Sequence, residues 1–243
     1  MTASAGSRSA VISYARPILT GLLIVAAGLV PWALLADINA RVRPEIPWAA
    51  LATVVYLGAL LVWLNGRGPP HRTSEQRRAR LRLWPPIRRH EGGTVSITTA
   101  SAVILLVILY VAWVIVGRMS AMPDLAGLPT TSFRWSMFIM GGLMSGVVEE
   151  AAYRGYMQTG LEQIDPGNAV VITSLVFTVS HITHGPATVL ILGPGLFMAA
   201  MLYGLLARRT GTILPGMLLH IIGDLSYTFF GVLRGDASLL FVR

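Results

Sequence analysis

The sequence predicts an all-α protein: a polytopic membrane helical bundle of about seven (six to eight) transmembrane helices that enclose an intramembrane polar site. Hydrophobic residues make up 54% of the 243 residues and charged residues only 12%, and the mean hydropathy is +0.65. Apolar runs of about 20 residues recur along the chain, and ionisable residues lie inside the later runs. Cys is absent. This composition excludes a soluble globule, a disordered chain and a disulfide-rich secreted module.

Seven apolar runs predict the spans, with bounds that are good to a few residues. The spans are residues 18–36, 47–65, 96–117, 133–159, 168–184, 188–207 and 213–233. The first run follows Arg8 and Arg16, as the apolar region of a signal peptide would. It is longer than such a region, however, and no clear small-residue cleavage site follows it. We therefore expect a retained first span.

An Arg-rich loop, residues 67–90, separates the second and third predicted spans. It holds eight arginines and a single acidic residue, Glu75. Positively charged loops stay in the cytoplasm, so this loop and the N-terminus are predicted to be cytoplasmic. The loop also suits anionic lipid headgroups, at ~1 kcal/mol per Arg near the surface, although a topology signal alone accounts for it. The chain has neither the basic-aromatic module of a nucleic-acid binder nor the inverted repeats of a transporter.

Six ionisable residues lie inside the later apolar runs. They are Glu149, Glu150, Arg154, His181, His220 and Asp224. A central Asp or Arg costs ~2.5–3.5 kcal/mol to insert, so the acids and the arginine together would cost on the order of 10 kcal/mol if unpaired. A marginally stable protein does not carry that cost uncompensated. These residues are therefore predicted to pair with each other, with a metal or with water in a cavity.

The spacing of these residues indicates how they pair. Glu150 and Arg154 are four residues apart with the acid first, which is the better order for a helical ion pair. Glu149 is rotated by about 100° from Glu150, so one Glu can hold Arg154 while the other faces the bundle interior. His220 and Asp224 share one helix face, where Asp224 could orient the His220 ring or share a ligand with it.

A GxxxG step formed by Gly142 and Gly146 precedes the Glu pair, which predicts the close approach of another helix. Several signatures of membrane proteases are missing. The chain has no HExxH of a zinc protease and no rhomboid-type GxSG. Gly223 and Asp224 give only half of a GxGD motif, and no second intramembrane Asp is available for a shared-proton dyad.

Three other motifs occur in order on successive predicted helices. Glu149–Arg154 reads EExxxR, Phe177–His181 reads FxxxH and His220–Asp224 reads HxxxD. Together with the segment from Arg209 to His220, they resemble the CPBP intramembrane proteases. That family comprises CAAX-processing, Rce1-like endopeptidases and the bacteriocin-processing or immunity proteins of the Abi family. The resemblance covers about residues 132–230, and the earlier residues match only as generic membrane helices.

The resemblance implies a division of the chain into three segments. Residues 1–131 would form N-terminal transmembrane helices with the Arg-rich loop, residues 132–233 a CPBP/CAAX-protease-like catalytic core, and residues 234–243 a C-terminal tail. The apolar spans predict an integral membrane protein, and we expect its location to be a bacterial plasma membrane. Its partners would be the lipid bilayer and a membrane-anchored protein or peptide substrate, with no nucleic acid and with the oligomeric state left open.

Carried over by position, the resemblance implies hydrolysis of a peptide bond inside or at the edge of the membrane. Glu149 and His181 would activate the attacking water, as a general base and its partner do. Glu150 would support the site through Arg154. These roles come from the matching motif positions.

His220 and Asp224 would stabilise the oxyanion or complete the site, and Phe177 would support it structurally. If a metal is bound, Glu149, His181 and His220 are the expected ligands and Zn²⁺ the expected ion, because three protein ligands plus water is the catalytic zinc pattern. A metal-free glutamate mechanism is also compatible with the resemblance. Asp224, where the family has Asn or Asp, slightly favours a metal or His-orienting role.

Two other functions stay open at the level of sequence. A non-catalytic immunity or scaffold protein of the same fold would keep its biological effect without Glu149. A proton or ion transporter would use the buried Glu and His residues for titration. The intact set of three motifs favours the endopeptidase, since a non-catalytic relative would be free to lose Glu149 or His181.

Overall fold

The computed structural model describes residues 4–42, 48–64, 82, 141–184 and 186–233, and all regular structure among them is helical. The all-α prediction is therefore confirmed for this part of the chain. Six helices, α1 to α6, follow one another, and a 3₁₀ turn, His181–His184, comes directly after α4. In chain order, the helices are α1 (Ser4–Val42), α2 (Trp48–Leu64), α3 (residues 141–162), α4 (Ala169–Ser180), α5 (Pro186–Thr210) and α6 (Leu214–Leu233).

Each predicted span that falls in this part of the chain coincides with a helix, and the fourth does so from residue 141 onward. The predicted span 96–117, the Arg-rich loop apart from Arg82, and the tail 234–243 lie outside the described residues. Among the described helices, one is long and apolar enough to cross a membrane, at Ser13–Leu35. The count of seven spans and the three-segment division therefore stay predictions.

The apolar residues of these helices face outward to an unusual degree. Large apolar exposed surfaces mark membrane or partner contacts, because a soluble monomer rarely carries them. Among the exposed side chains are Leu19, Leu23, Val30, Val54, Val55, Leu175, Val179, Leu190, Leu218 and Ile222. This distribution over five of the helices fits a bundle whose outer surface contacts lipid.

Helix α3 changes its winding where the ionisable residues begin. Residues 141–149 are α-helical, Glu150–Gln158 form a π-helix, and Thr159–Glu162 return to α-helix. π-Helical segments are rare and occur often at functional sites, because the wider turn displaces side chains from their usual rows. Eight of the nine π-helical residues are buried, so this segment lies in the core of the described bundle.

Helix α1 runs antiparallel to α3 at close range. A Cβ on Gly160 would come within 2.8 Å of Pro17 Cβ, and one on Gly21 would lie 3.3 Å from the carbonyl oxygen of Ala152. Further along α1, a Cβ on Gly28 would press against Val148. Helix α2 folds back on α1, where the indole of Trp32 donates a hydrogen bond to the buried Thr53 Oγ1 (2.9 Å).

The turn between α3 and α4 is organised by Asp165. Its Oδ1 accepts a hydrogen bond from the backbone N–H of Asn168 (3.2 Å), and its Oδ2 accepts one from Asn168 Nδ2 (2.9 Å). Tyr14 of α1 also donates to Oδ2 (3.2 Å). These hydrogen bonds, chiefly the one from the Asn168 side chain, hold the pKa of Asp165 below its ordinary value. The turn is thereby tied to α1.

Helix α6 crosses α3 at the two glycines of the GxxxG step. A Cβ on Gly142 would lie 3.0 Å from Leu225 Cδ2, and a Cβ on Gly146 would collide with the Ile221 side chain and lie 3.1 Å from the Ile221 backbone nitrogen. The predicted close approach of another helix is therefore present. It brings His220 and Asp224 of α6 beside Glu149 and Glu150, which follow Gly146 by one turn.

We expect Gly146→Ala to lower the free energy of unfolding by ~1–3 kcal/mol, because the added methyl overpacks the contact with Ile221 and backbone atoms have little freedom to move away. The measurement is thermal unfolding of the detergent-solubilised protein. Gly58→Ala in α2 is the matched control, since no atom of the described residues lies within 4 Å of its added Cβ and Ala favours the helix by up to ~1 kcal/mol. Equal unfolding temperatures for the two variants would contradict the tight α3–α6 contact.

Candidate functional site

The polar residues of the core are organised around one buried ion pair. Arg154 Nη1 donates a hydrogen bond to Glu150 Oε1 at 2.7 Å, and both side chains are 0% exposed. This is the helical pair predicted from the four-residue spacing. Burying two charges costs several kcal/mol per ion unless geometry and additional hydrogen bonds compensate. The surroundings of both groups therefore decide whether the pair is tolerated.

The guanidinium of Arg154 is enclosed by a carbonyl oxygen and three aromatic rings. Its Nη2 donates to the backbone oxygen of Ala200 in α5 at 3.0 Å. The carbon Cζ lies 4.6 Å from the ring centroid of Phe177, 5.3 Å from that of Tyr203 and 5.9 Å from that of Tyr153. Cation–π attraction is strongest where water is excluded, as it is here. These contacts offset the desolvation of the charge.

Glu150 also holds the ring of His220. The same Oε1 that accepts from Arg154 lies 2.9 Å from His220 Nδ1. A carboxylate accepts hydrogen bonds, so the proton of this contact belongs on Nδ1, and Nε2 is turned to the opposite side. Tyr203 stacks on the imidazole at 5.2 Å between ring centroids and 18° between planes. The orientation of His220 is thus determined by Glu150 at its edge and Tyr203 on its face.

Two further carboxylates approach the other nitrogen of the ring. Asp224 Oδ2 lies 3.7 Å from His220 Nε2, and Glu149 Oε2 lies 3.9 Å from it. Ser145, one turn before Glu149, donates a hydrogen bond to Asp224 Oδ2. The sequence makes Asp224 one candidate for orienting the His220 ring, but the ring donates its Nδ1 hydrogen bond to Glu150, because α3 crosses α6 closely enough for Glu150 to reach Nδ1.

Glu149 and Glu150 therefore meet opposite edges of one imidazole. Their side chains leave α3 in different directions, as the rotation between neighbouring helical residues requires. Glu150 holds Arg154, and Glu149 faces the interior at the far side of His220. The two side chains thus lie as the rotation between them predicts, and their separate tasks stay a prediction.

Phe177 links the remaining predicted residue to this cluster. Its ring lies 4.7 Å from that of His181 and 5.9 Å from that of His220, measured between centroids, and it contacts Tyr153 edge-on at 5.2 Å. His181 Nδ1 is 2.7 Å from the backbone oxygen of Phe177, which fixes the ring at the end of α4. Among these contacts, the path from His181 to the site runs through Phe177.

Two buried carboxylate oxygens have no hydrogen-bond partner in the described part of the chain. They are Glu149 Oε2 and Glu150 Oε2. Buried polar atoms are nearly always hydrogen-bonded, and exceptions occur where a site receives water, an ion or a reactant. A Cβ on Gly216 would lie 3.3 Å from Glu150 Oε2, so the glycine leaves room beside that atom. Glu149 Oε2 is the unpartnered atom that faces His220.

The fit of a metal ion depends on how many ligands the site gathers. No group of three or more His, Asp or Glu side chains is arranged to hold a metal among the described residues. Glu149 Oε2 and His220 Nε2 lie on one side of the ring, and a carboxylate on Nδ1 is usual for a metal-binding His. The third expected ligand, His181, is connected through Phe177. Binding of Zn²⁺ therefore stays a prediction.

Sequence reasoning missed two residues that contact the site directly. Ser145 has a detectable signal, since it precedes Glu149 by four residues and therefore lies on the same side of α3. Tyr203 has none, because an aromatic residue in an apolar helix is ordinary. Its position over His220 follows only from the packing of α5 against α6.

Comparison with protein families gives one match in the same region. Residues 130–226 match the family model described as Rce1-like, type II CAAX prenyl endopeptidase. The match contains all three motifs and the residues of the cluster just described, and it supports the CPBP and CAAX-protease resemblance. No curated protein and no solved structure gives a significant match.

We expect Arg154→Leu to lower the free energy of unfolding by ~3–5 kcal/mol, because Glu150 would be left as a buried charge without its cation. Arg154→Lys keeps a cation and should lose less. Thermal unfolding in detergent measures both changes. Arg208→Leu, at an exposed position near the end of α5, is the control for loss of one positive charge. A Leu variant as stable as the wild type would mean that the pair is not needed for the fold.

Proposed function

Since residues 130–226 match the Rce1-like family, we propose that the protein is an intramembrane endopeptidase that hydrolyses a peptide bond of a membrane-associated protein or peptide. One observation supports this most directly. A buried carboxylate oxygen without a hydrogen-bond partner, Glu149 Oε2, faces the Nε2 edge of a histidine whose other nitrogen is held by Glu150. A general base needs this combination of an open acceptor and a fixed neighbour.

The separation of 3.9 Å between Glu149 Oε2 and His220 Nε2 is too long for a hydrogen bond. A water molecule that bridges the two atoms can lie within hydrogen-bond distance of both. In the proposed reaction Glu149 takes a proton from this water as its oxygen bonds to the scissile carbonyl carbon. The C–N bond then breaks, and the proton passes from Glu149 to the leaving amine.

The other residues position these two. Glu150 holds Nδ1 of His220 and is itself held by Arg154, so the ring does not rotate as the reaction proceeds. Asp224, which accepts a hydrogen bond from Ser145, lies on the Nε2 side of the His220 ring. His181 is proposed to assist Glu149 in activating water. Fixed dipoles and charges in a site that excludes water stabilise developing charge better than mobile solvent does.

The substrate is proposed to be a membrane-anchored protein or peptide, because the cluster lies among helices with apolar outer surfaces. The family name adds the specific possibility of a prenylated CAAX sequence at the substrate C-terminus. We further propose that the protein is integral to the membrane with a cytoplasmic N-terminus, as the Arg-rich loop predicts.

We expect Glu149→Gln to reduce cleavage by at least ~100-fold, because the amide cannot accept the proton of the attacking water. The assay uses purified protein in liposomes with a library of membrane-anchored peptides and, separately, a farnesylated CAAX peptide. Thermal unfolding of the same preparation controls for the fold. Full activity of the folded variant would refute Glu149 as the base.

A chelator arm in the same assay addresses the metal. Loss of cleavage on chelation and its return with Zn²⁺ would support a metal, whereas unchanged cleavage would favour a metal-free glutamate mechanism. If the wild type cleaves neither kind of peptide, the endopeptidase proposal loses its support. The non-catalytic immunity or scaffold function would then be favoured, and it predicts that Glu149→Gln keeps the biological effect.

We expect Asp224→Asn to keep most of the cleavage activity and Asp224→Ala to lose about tenfold or more. Asn retains an oxygen that accepts the Ser145 hydrogen bond, whereas Ala removes it and leaves the hydroxyl without this partner. The ratio of kcat/KM values on the best peptide measures the difference. Equal loss in both variants would show that the charge of Asp224, and not its hydrogen bond, is required.

A further inference from the structure

The polar residues of α3 continue beyond the site. Glu150, Arg154, Gln158 and Glu162 follow one another at intervals of four residues, and the first three are 0% exposed. Of these four residues, the proposed mechanism uses only Glu150 and Arg154. Gln158 and Glu162 are therefore buried or half-buried polar groups without an assigned task.

Gln158 fastens α3 to α5. Its Nε2 donates to the backbone oxygen of Gly204 at 3.0 Å and to Glu162 Oε1 at 2.9 Å. Arg154 makes the equivalent contact one turn earlier, with the backbone oxygen of Ala200. Two side chains four residues apart on α3 thus bind two carbonyl oxygens four residues apart on α5, which sets the register of the two helices.

Glu162 continues this chain of contacts to the Arg-rich loop. Arg82 Nη2 forms an ion pair with Glu162 Oε2, and the two side chains are only 16% and 17% exposed. The backbone oxygen of Arg82 accepts a hydrogen bond from the N–H of Ile213, in the turn between α5 and α6 (3.0 Å). Arg82 is therefore bound both to the end of α3 and to the segment that leads into α6.

These contacts form a ladder in two parts, which are joined where Gln158 and Arg154 bind the neighbouring carbonyl oxygens of Gly204 and Ala200 on α5. From one end to the other, the ladder consists of Arg82, Glu162, Gln158, Arg154, Glu150 and His220. Its α3 portion runs from Glu150 to Glu162, through the π-helical segment and the α-helical turn that follows it. The helices α3 and α6 carry the two halves of the site, and Arg82 contacts both the end of α3 and the turn that precedes α6.

We propose that Arg82 is a positioning residue for the site, acting through Glu162 and Gln158 to hold α3 in register with α5 and with the turn before α6. This inference rests on the proposed function. Its consequence is that the Arg-rich loop contributes to turnover as well as to topology. Small displacements of catalytic groups are costly, since a shift of ~1 Å can lower a rate ~100-fold.

Charge exchange provides the test. The variants are Arg82→Glu, Glu162→Arg and the double exchange, assayed in liposomes on the peptide that the wild type cleaves best. We expect each single variant to lower kcat about threefold to tenfold with KM changed by less than about twofold, and the double variant to regain at least about half of the loss. Arg209→Glu is the control for the same charge reversal at an exposed position, and it should keep the wild-type kcat.

Two milder substitutions test the same contact with less disturbance of the fold. Arg82→Gln and Glu162→Gln keep a hydrogen bond but no ion pair, and we expect smaller losses of kcat in the same direction. The proposal is overturned if all single variants keep the wild-type kcat, or if the double exchange is no better than the worse single variant. Cleavage by the wild type together with its loss in Glu149→Gln shows that such a failure concerns Arg82 and leaves the endopeptidase proposal standing.

A spectroscopic measurement tests the positioning role of Arg82 even where no peptide is cleaved. The chain has five histidines, so ¹⁵N-histidine labelling in nanodiscs gives a simple spectrum, in which His220→Gln identifies the His220 signals. We expect Arg82→Glu to shift the Nδ1 signal and the double exchange to restore it, because the hydrogen bond to Glu150 changes with the position of α3. An unchanged signal in both single variants would overturn the proposal.

Discussion

The buried pair of Glu150 and Arg154 is the constraint on which the rest of the core depends. A charge with no counter-ion in this environment would cost more than a marginally stable protein can supply, so each neighbour of the pair serves to complete it. Arg154 requires the carbonyl oxygen of Ala200 and a set of aromatic faces, and Glu150 requires the ring of His220. Glu150 Oε1 thus connects α3 with α6 through His220 and with α5 through Arg154, and these contacts assemble the site.

Close helix packing makes these contacts possible. Gly142 and Gly146 allow α6 to approach α3, and the π-helical winding that begins at Glu150 directs the long polar side chains toward α5. The polar contacts of the site therefore depend on the glycines that let α6 approach α3. Wider spacing would leave His220 out of reach of Glu150, and the aromatic residues around Arg154 would no longer exclude water.

Much of this arrangement was predictable from local spacing. The pair of Glu150 and Arg154 and the GxxxG contact follow from intervals of four residues, and the described helices follow from apolar runs of about 20 residues. The hydrogen bond between His220 and Glu150 does not, since it joins residues 70 positions apart and competes with the nearer candidate Asp224. Tyr203 and the π-helix carry no sequence signal, because they depend on which helix face meets which. The part of the ladder on α3 does have a sequence signal, since Glu150, Arg154, Gln158 and Glu162 recur at intervals of four residues.

The close contact of α1 with α3 limits which fragments of the chain keep α3 buried. The side of α3 that holds Ala152 and Met157 is covered by α1 at Gly21, and Pro17 covers Gly160. A fragment limited to the family-matched residues 130–226 would leave that side bare, with a small-residue groove exposed to lipid or to another chain. Helix α1 therefore belongs to the same folding unit as the matched region, and an expressed fragment needs α1, supplied in the same chain or as a separate peptide, to bury its central helix.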